Sequence, residues 1–229
     1  MEFGPGSDLA SDRFRGLLRC GGWAALASVG ITVVQVVVFA IWPPVHTVRE
    51  VFTLMVESPV AGLLSLDLLY VVNNVAVWLF YLGLAVPLWQ VSRSGTVIAV
   101  GLGTLQMSAY FASNPALEML SLARAYAAAD PGARQVLSAA GEAVLAGWKG
   151  TAFVTYYLLG ATALLLISWL LRRTAALGVS VRWWALAAGV LMLVPSTFGT
   201  LGLLFSLASL APWTVLCIVA GRGLLRLGT

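Results

Sequence analysis

Runs of about twenty apolar residues, separated by short turns that carry arginine, recur along the whole of this sequence. A helix needs about 20 such residues to cross the hydrocarbon core of a bilayer, at 1.5 Å per residue. The composition fits that pattern: 60% of the 229 residues are hydrophobic, 10% are charged, and the mean hydropathy is +0.95. A soluble domain is about 45–50% apolar and about a quarter charged. An ordinary soluble enzyme, a disordered tail and a nucleic-acid binder are therefore excluded as the main function. The sequence predicts an all-α, polytopic transmembrane helix bundle.

Six spans are expected: Leu17 to Trp42, Pro59 to Gln90, Thr96 to Ser113, Gly150 to Leu171, Trp183 to Val194 and Leu201 to Val219. Trp42-Pro43-Pro44 closes the first, because two prolines cannot continue a helix and tryptophan suits the lipid–water interface. Pro59 sits well at a helix start. Asn114-Pro115 ends the third, and Pro195-Ser196-Thr197 stops the fifth in what reads as a simple turn. With the N-terminus inside, the cytoplasmic side holds Arg13, Arg15, Arg19, Arg93, Arg172, Arg173, Arg182, Arg222 and Arg226. The outer side holds Arg49, Arg124, Arg134 and Lys149. That asymmetry follows the positive-inside rule and predicts that both termini are cytoplasmic. The acids lean the other way: Glu50, Glu57, Asp67, Glu118, Asp130 and Glu142 fall on the outer side, and Glu2, Asp8 and Asp12 inside.

Two outer segments are expected to be more than loops. Thr47 to Glu57 is amphipathic, and Ala116 to Ala129 has helical periodicity. Asp130-Pro131 can open the next helix, as N-cap and first helical residue. One straight helix from Arg134 to Leu171 would measure about 57 Å, so it must project outward or bend at Gly147 or Gly150. Residues 114–149 are thus expected to form an extracytoplasmic helical cap. Residues 1–7 read as an expression-tag remnant and residues 8–229 as a single transmembrane domain.

The polar residues of the spans are the candidate site. In LSLDLLYVVNNVAVWLFY, Asp67, Tyr70, Asn74, Trp78 and Tyr81 recur at steps of three or four, which places them on one helix face. Asn73 points about a third of a turn away. A carboxyl at membrane depth costs a few kcal/mol, so Asp67 should face the interior and have a partner, with Lys149 as the preferred ion-pair partner. It can serve as an acid, base or ligand anchor, or equally as a structural hydrogen-bonding residue. The third span carries Gly103, Gln106, Tyr110 and Ser113 on one stripe, followed by Asn114 and Glu118. Pocket polarity and interhelical hydrogen bonding both fit that stripe. Glu142, Lys149 and Tyr156 recur at steps of seven and would share a face of one helix. Lys149 can also snorkel to the headgroups beside Trp148.

Other chemistry is limited. Cys20 and Cys217 form no CxxC pair, the one histidine, His46, reads as an exposed loop residue, and no metal site or cofactor is expected.

The runs LLSLDLLYVVNN, SNPALEMLSLARAYAAA, AAGEAVLAGWKGTAF and LMLVPSTFGTLGLLFSLASLAPW resemble a family of small bacterial integral membrane proteins, a domain of unknown function. The likeness covers about Trp42 to Leu227. It implies a stand-alone helical membrane protein and no particular activity. The motif positions Asp67, Asn73, Asn74, Asn114, Glu118, Glu142 and Tyr156 mostly coincide with the polar positions above.

The primary expectation is an outer-leaflet polar pocket that binds a lipid-like or amphipathic small molecule. Tyr70, Asn74, Trp78, Gln106, Tyr110, Asn114, Glu118, Lys149 and Tyr156 would line it. An alternative is intramembrane acid–base catalysis on a prenyl-type substrate, a cyclase or isomerase with Asp67 and Glu142 as catalytic carboxyls. Small-solute transport is a third, less supported by the apolar inner half of spans five and six. The expected partners are membrane lipids and a hydrophobic small molecule, not nucleic acid, and a homo-oligomer is compatible with the sequence.

Overall fold

Long apolar stretches become helices because a helix satisfies its own backbone hydrogen bonds. A computed structural model describes residues 13–42, 45 and 47–229, so the expectations for residues 1–7, Pro43, Pro44 and His46 lie outside the described residues. The described chain is all-helical: α1 (Arg15–Ile41), α2 (Val48–Glu57), α3 (Pro59–Ser65), α4 (Leu68–Trp89), α5 (Arg93–Ser113), α6 (Ala116–Ala128), α7 (Pro131–Trp148), α8 (Thr151–Leu171), α9 (Val179–Leu191) and α10 (Gly199–Leu227). Five stretches are long and apolar enough to cross a membrane: Arg15–Ile41, Leu68–Trp89, Arg93–Ala128, Pro131–Leu171 and Gly199–Leu227. The helix Val179–Leu191 is apolar but shorter.

The long helices share one core, built from Leu18, Phe80, Tyr81, Leu84, Leu164, Leu170, Leu216 and Leu224 among others. Small residues set the closest approaches. A Cβ on Gly21 of α1 would sit 2.7 Å from the Gly83 Cα of α4, and one on Gly22 would sit 2.9 Å from the Gly221 carbonyl of α10. Backbones this near exclude any larger residue. The outer faces carry exposed Val33, Val34, Val37, Val97, Ile98, Leu105, Leu201 and Leu204. An apolar sheath of that extent suits acyl chains rather than water.

A second, smaller core sits at one end of the bundle. Val48, Val51, Phe52 and Met55 of α2 pack on Ala116, Met119 and Ala123 of α6, with Leu66 between them. Helix α2 opens on a capping box in which Thr47 and Glu50 each accept from the other's backbone N–H. Helix α7 opens as its sequence suggests: Asp130 accepts from the Ala133 N–H at 2.9 Å, and Pro131 follows in the first helical position.

One expectation about continuity is corrected. The run 59–90 is not one helix, because it breaks at Leu66-Asp67, where Asp67 adopts φ 59° and ψ 25°. It is the only non-glycine residue with positive φ among the described residues. The stretch 131–171 divides at Lys149-Gly150, where the Gly150 N–H turns back to the Gly147 carbonyl at 3.0 Å. The run 183–194 also differs at its edges, since its helix starts at Val179 and ends at Leu191.

The charges separate along the bundle. The six described acids all lie on the second-core end, on α2, the Asp67 break, α6, and α7 with its N-cap. Arginines 93, 172, 173, 182, 222 and 226 lie at the opposite helix ends.

Candidate functional site

The break at Asp67 is held from outside its own sequence. Three carbonyls around the break each accept from a side chain outside it, and two of them also hold a backbone N–H: Leu64 receives the Asp67 N–H and Asp67 the Tyr70 N–H. Gln35 of α1 donates Nε2–H to the Leu64 carbonyl at 3.3 Å. Asn114, which follows α5, donates Nδ2–H to the Leu66 carbonyl at 2.9 Å, and Tyr110 of α5 donates its hydroxyl to the Asp67 carbonyl at 3.4 Å. Discontinuous apolar helices are tolerated where such partners or a cavity receive the freed groups.

Both conditions hold here. A cavity of about 330 Å³ opens beside the break. Its polar lining comes from Thr32 and Gln35 of α1, Asp67, Tyr70 and Asn73 around the break, and Gln106 and Tyr110 of α5. Tyr156 and Tyr157 of α8, Ser196, and Ser206 and Ser209 of α10 complete it. One wall is a chain of rings: Tyr110 and Tyr156 have centroids 5.0 Å apart, Tyr156 and Tyr157 5.4 Å, and Phe153 and Tyr157 5.3 Å. The Tyr157 and Ser206 hydroxyls share a hydrogen bond of 3.0 Å that joins α8 to α10 across the cavity. Tyr81 and Trp213 lie at its floor, above the packed apolar core. Gly103 and Gly160 leave room for the Tyr81 ring and the Gln106 amide.

The lining is rich in idle acceptors. The side-chain oxygens Gln35 Oε1, Asn73 Oδ1 and Gln106 Oε1 are buried without a hydrogen-bond partner. All three residues line the cavity, and Asp67 adds a carboxyl. Buried polar groups are normally satisfied, so three idle oxygens on residues that line one cavity mark a place where donors are missing. The cavity also has a side mouth. Val36 of α1 and Leu203 and Leu207 of α10 line it while remaining 51%, 52% and 56% exposed.

The sequence-based candidates divide. Asp67, Tyr70, Gln106, Tyr110 and Tyr156 line the cavity together. Asn74 is buried beside it, with Nδ2–H donated to the Tyr70 carbonyl at 2.8 Å. Asn73 lines the cavity instead, on a face of α4 that runs Tyr70, Asn73, Val77, Tyr81. Trp78 turns outward and donates its indole N–H to Thr104 at 3.1 Å. Asn114 clamps the break rather than lining the void. Glu118 and Glu142 are exposed on α6 and α7 and do not line the cavity. Lys149 is exposed, with its ammonium 5.6 Å from the Trp148 ring centroid. Its charge acts on Asp67 at longer range, and no ion pair joins the two among the described residues. The shared face expected for Glu142, Lys149 and Tyr156 fails because the turn at Gly150 changes the helical phase. No group of three metal-ligating side chains occurs among the described residues.

Thr32, Gln35, Tyr157, Ser206 and Ser209 were not singled out as site residues. A lone amide inside Val-Val-Gln-Val-Val-Val is a signal that would have found Gln35, since an isolated polar group in an apolar span needs a partner. Ser196 also lines the cavity, so the segment after α9 is more than a turn.

Set against protein-family models, curated proteins and solved structures, the chain matches none.

Proposed function

We propose that this chain is a multi-pass membrane protein whose cavity binds an amphipathic small molecule with a hydrogen-bond-donating head. One observation carries this: three residues with unpartnered amide oxygens, and Asp67 with its carboxyl, line a single cavity whose remaining walls are largely aromatic and aliphatic. A mostly apolar pocket with a few converging polar groups is the usual make-up of a small-molecule site. The mouth between Val36, Leu203 and Leu207 supports access sideways from the acyl chains, with the donor head at Asp67 and the apolar tail towards α1 and α10. In this reading Val179–Leu191 and the turns after it form a sixth crossing. The arginine end is cytoplasmic with both termini, and α2, α3, α6 and α7 form an outer cap. Charge segregation along the bundle supports that orientation.

The test is mass spectrometry of the molecule retained by the purified chain. Leu207→Trp narrows the mouth at an exposed position, and Gln106→Leu removes one acceptor from the lining. Each should strip a specific amphipath while leaving the thermal midpoint within a few degrees. Wild type that carries only detergent, or a lipid profile identical in all three proteins, would sink the proposal.

A second reading, acid–base chemistry on a prenyl-type substrate, is favoured by Asp67 sharing one cavity with the rings of Tyr110, Tyr156 and Tyr157. It retains Asp67 as its carboxyl and gives up Glu142. Unchanged products in membranes carrying Asp67→Asn would remove it. A through-path for transport gains no support, because the apolar core fills the bundle below Tyr81 and Trp213.

A further inference from the structure

The opposite end of the molecule carries a second concavity, separate from the cavity above. The last turns of α8 and the first turns of α9 enclose about 540 Å³ lined by Leu165, Ser168, Trp169, Arg172, Arg182, Trp183 and Leu186. Ser168 fixes the frame by donating its hydroxyl to the Arg182 carbonyl at 2.9 Å. The Arg182 guanidinium lies over the Trp183 ring, 4.9 Å from its centroid, and its Nε–H is buried without a partner. Arg172 is exposed at the rim. Arg173, the next residue, does not line the groove and stacks on Trp169 at 4.4 Å.

Two guanidiniums in a groove call for an anion, and no aspartate or glutamate among the described residues lies at this end: all six described ones sit at the other end of the bundle. Arginine pairs with phosphate through parallel N–H···O bonds, and an idle buried N–H strengthens the demand for an acceptor. Leu165 and Leu186 give the groove an apolar floor, and Trp169 and Trp183 flank it as interfacial aromatics do. A free inorganic anion has no use for that floor, whereas a phosphodiester with a glycerol backbone and acyl chains uses both parts. We infer that the Arg172–Arg182 groove is a binding site for the headgroup of an anionic phospholipid.

The experiment is native mass spectrometry of the purified full chain titrated with phosphatidylglycerol, with phosphatidylcholine and inorganic phosphate as parallel arms. Arg172→Gln and Arg182→Gln should each lower phosphatidylglycerol occupancy by about fivefold, the effect of one basic residue near an anionic surface. Arg173→Gln, with the same net charge change, should leave it unchanged. Leu186→Trp fills the floor while keeping both arginines and should also lower occupancy, so the result does not depend on Arg182→Gln folding. Equal losses in all three arginine variants would assign binding to diffuse charge and overturn the site. So would phosphatidylcholine bound as well as phosphatidylglycerol. Displacement of the lipid by millimolar inorganic phosphate would assign the groove to a soluble anion and overturn the lipid.

Discussion

Asp67 combines two roles that substitution can separate, because its backbone is left-handed and its carboxyl faces the cavity. At φ 59° a side chain crowds the following carbonyl, which costs about 1–2 kcal/mol for most residues, while asparagine and aspartate tolerate the region better. Glycine removes that cost but loses up to about 1 kcal/mol through the freedom it gives the unfolded chain. The net expectation is Asp67→Gly more stable than Asp67→Ala by about 1 kcal/mol, with Asp67→Asn close to wild type. For a chain of this length, about 2–4 °C of unfolding midpoint corresponds to 1 kcal/mol. A thermal ramp in detergent, followed by the fluorescence of the nine tryptophans, reads that gap directly. The carboxyl makes no hydrogen bond among the described residues, so its loss should not itself unfold the break. All three variants should, however, lose the retained amphipath. Alanine as stable as glycine would refute the strained backbone. Asparagine destabilised by more than about 2 kcal/mol would show that the carboxyl is a structural node after all.

Three further outcomes follow from the packing. Gly103→Val drives a branched side chain into the buried Tyr81 ring and should cost about 1–3 kcal/mol, seen as a lower unfolding midpoint. Tyr157→Phe and Ser206→Ala each break the same 3.0 Å bond, so each should cost about 1 kcal/mol and the double variant little more, a coupling that a double-mutant cycle measures. Glu118→Gln and Glu142→Gln alter exposed positions outside the cavity and should change stability by no more than about 0.5 kcal/mol, with the retained molecule unaffected by mass spectrometry.

Much of the architecture was legible because its signals are local. Asn114-Pro115 ends a helix and Asp130-Pro131 opens one through the chemistry of those residues alone. Gln106 and Tyr110 fell on one buried face because α5 runs unbroken through both, and period 3.6 then holds. The break at Asp67 was not legible, because LLSLDLLY contains neither glycine nor proline at the break. Its left-handed turn is maintained by Gln35, Tyr110 and Asn114, from 29 to 48 residues away in the chain. The choice of Asn74 over Asn73 has a different origin: both lie within about 60° of Tyr70 on the same unbroken helix, so their spacing does not separate them. Glu142 entered the site on its seven-residue spacing, which means a common face only along a continuous helix.

The three clamps on the break make it a gauge of how the bundle is docked. Residues 60–86 contain no proline, and as a single straight rod residues 59–86 would reach about 42 Å. The bend therefore persists only while the first and fifth helices stay seated against it. A displacement of α1 large enough to withdraw Gln35 would leave the Leu64 carbonyl to the Asp67 N–H and would carry the adjacent Val36, at the cavity mouth, with it. The bend and the cavity mouth are thus joined through two neighbouring residues of the first helix, Gln35 and Val36.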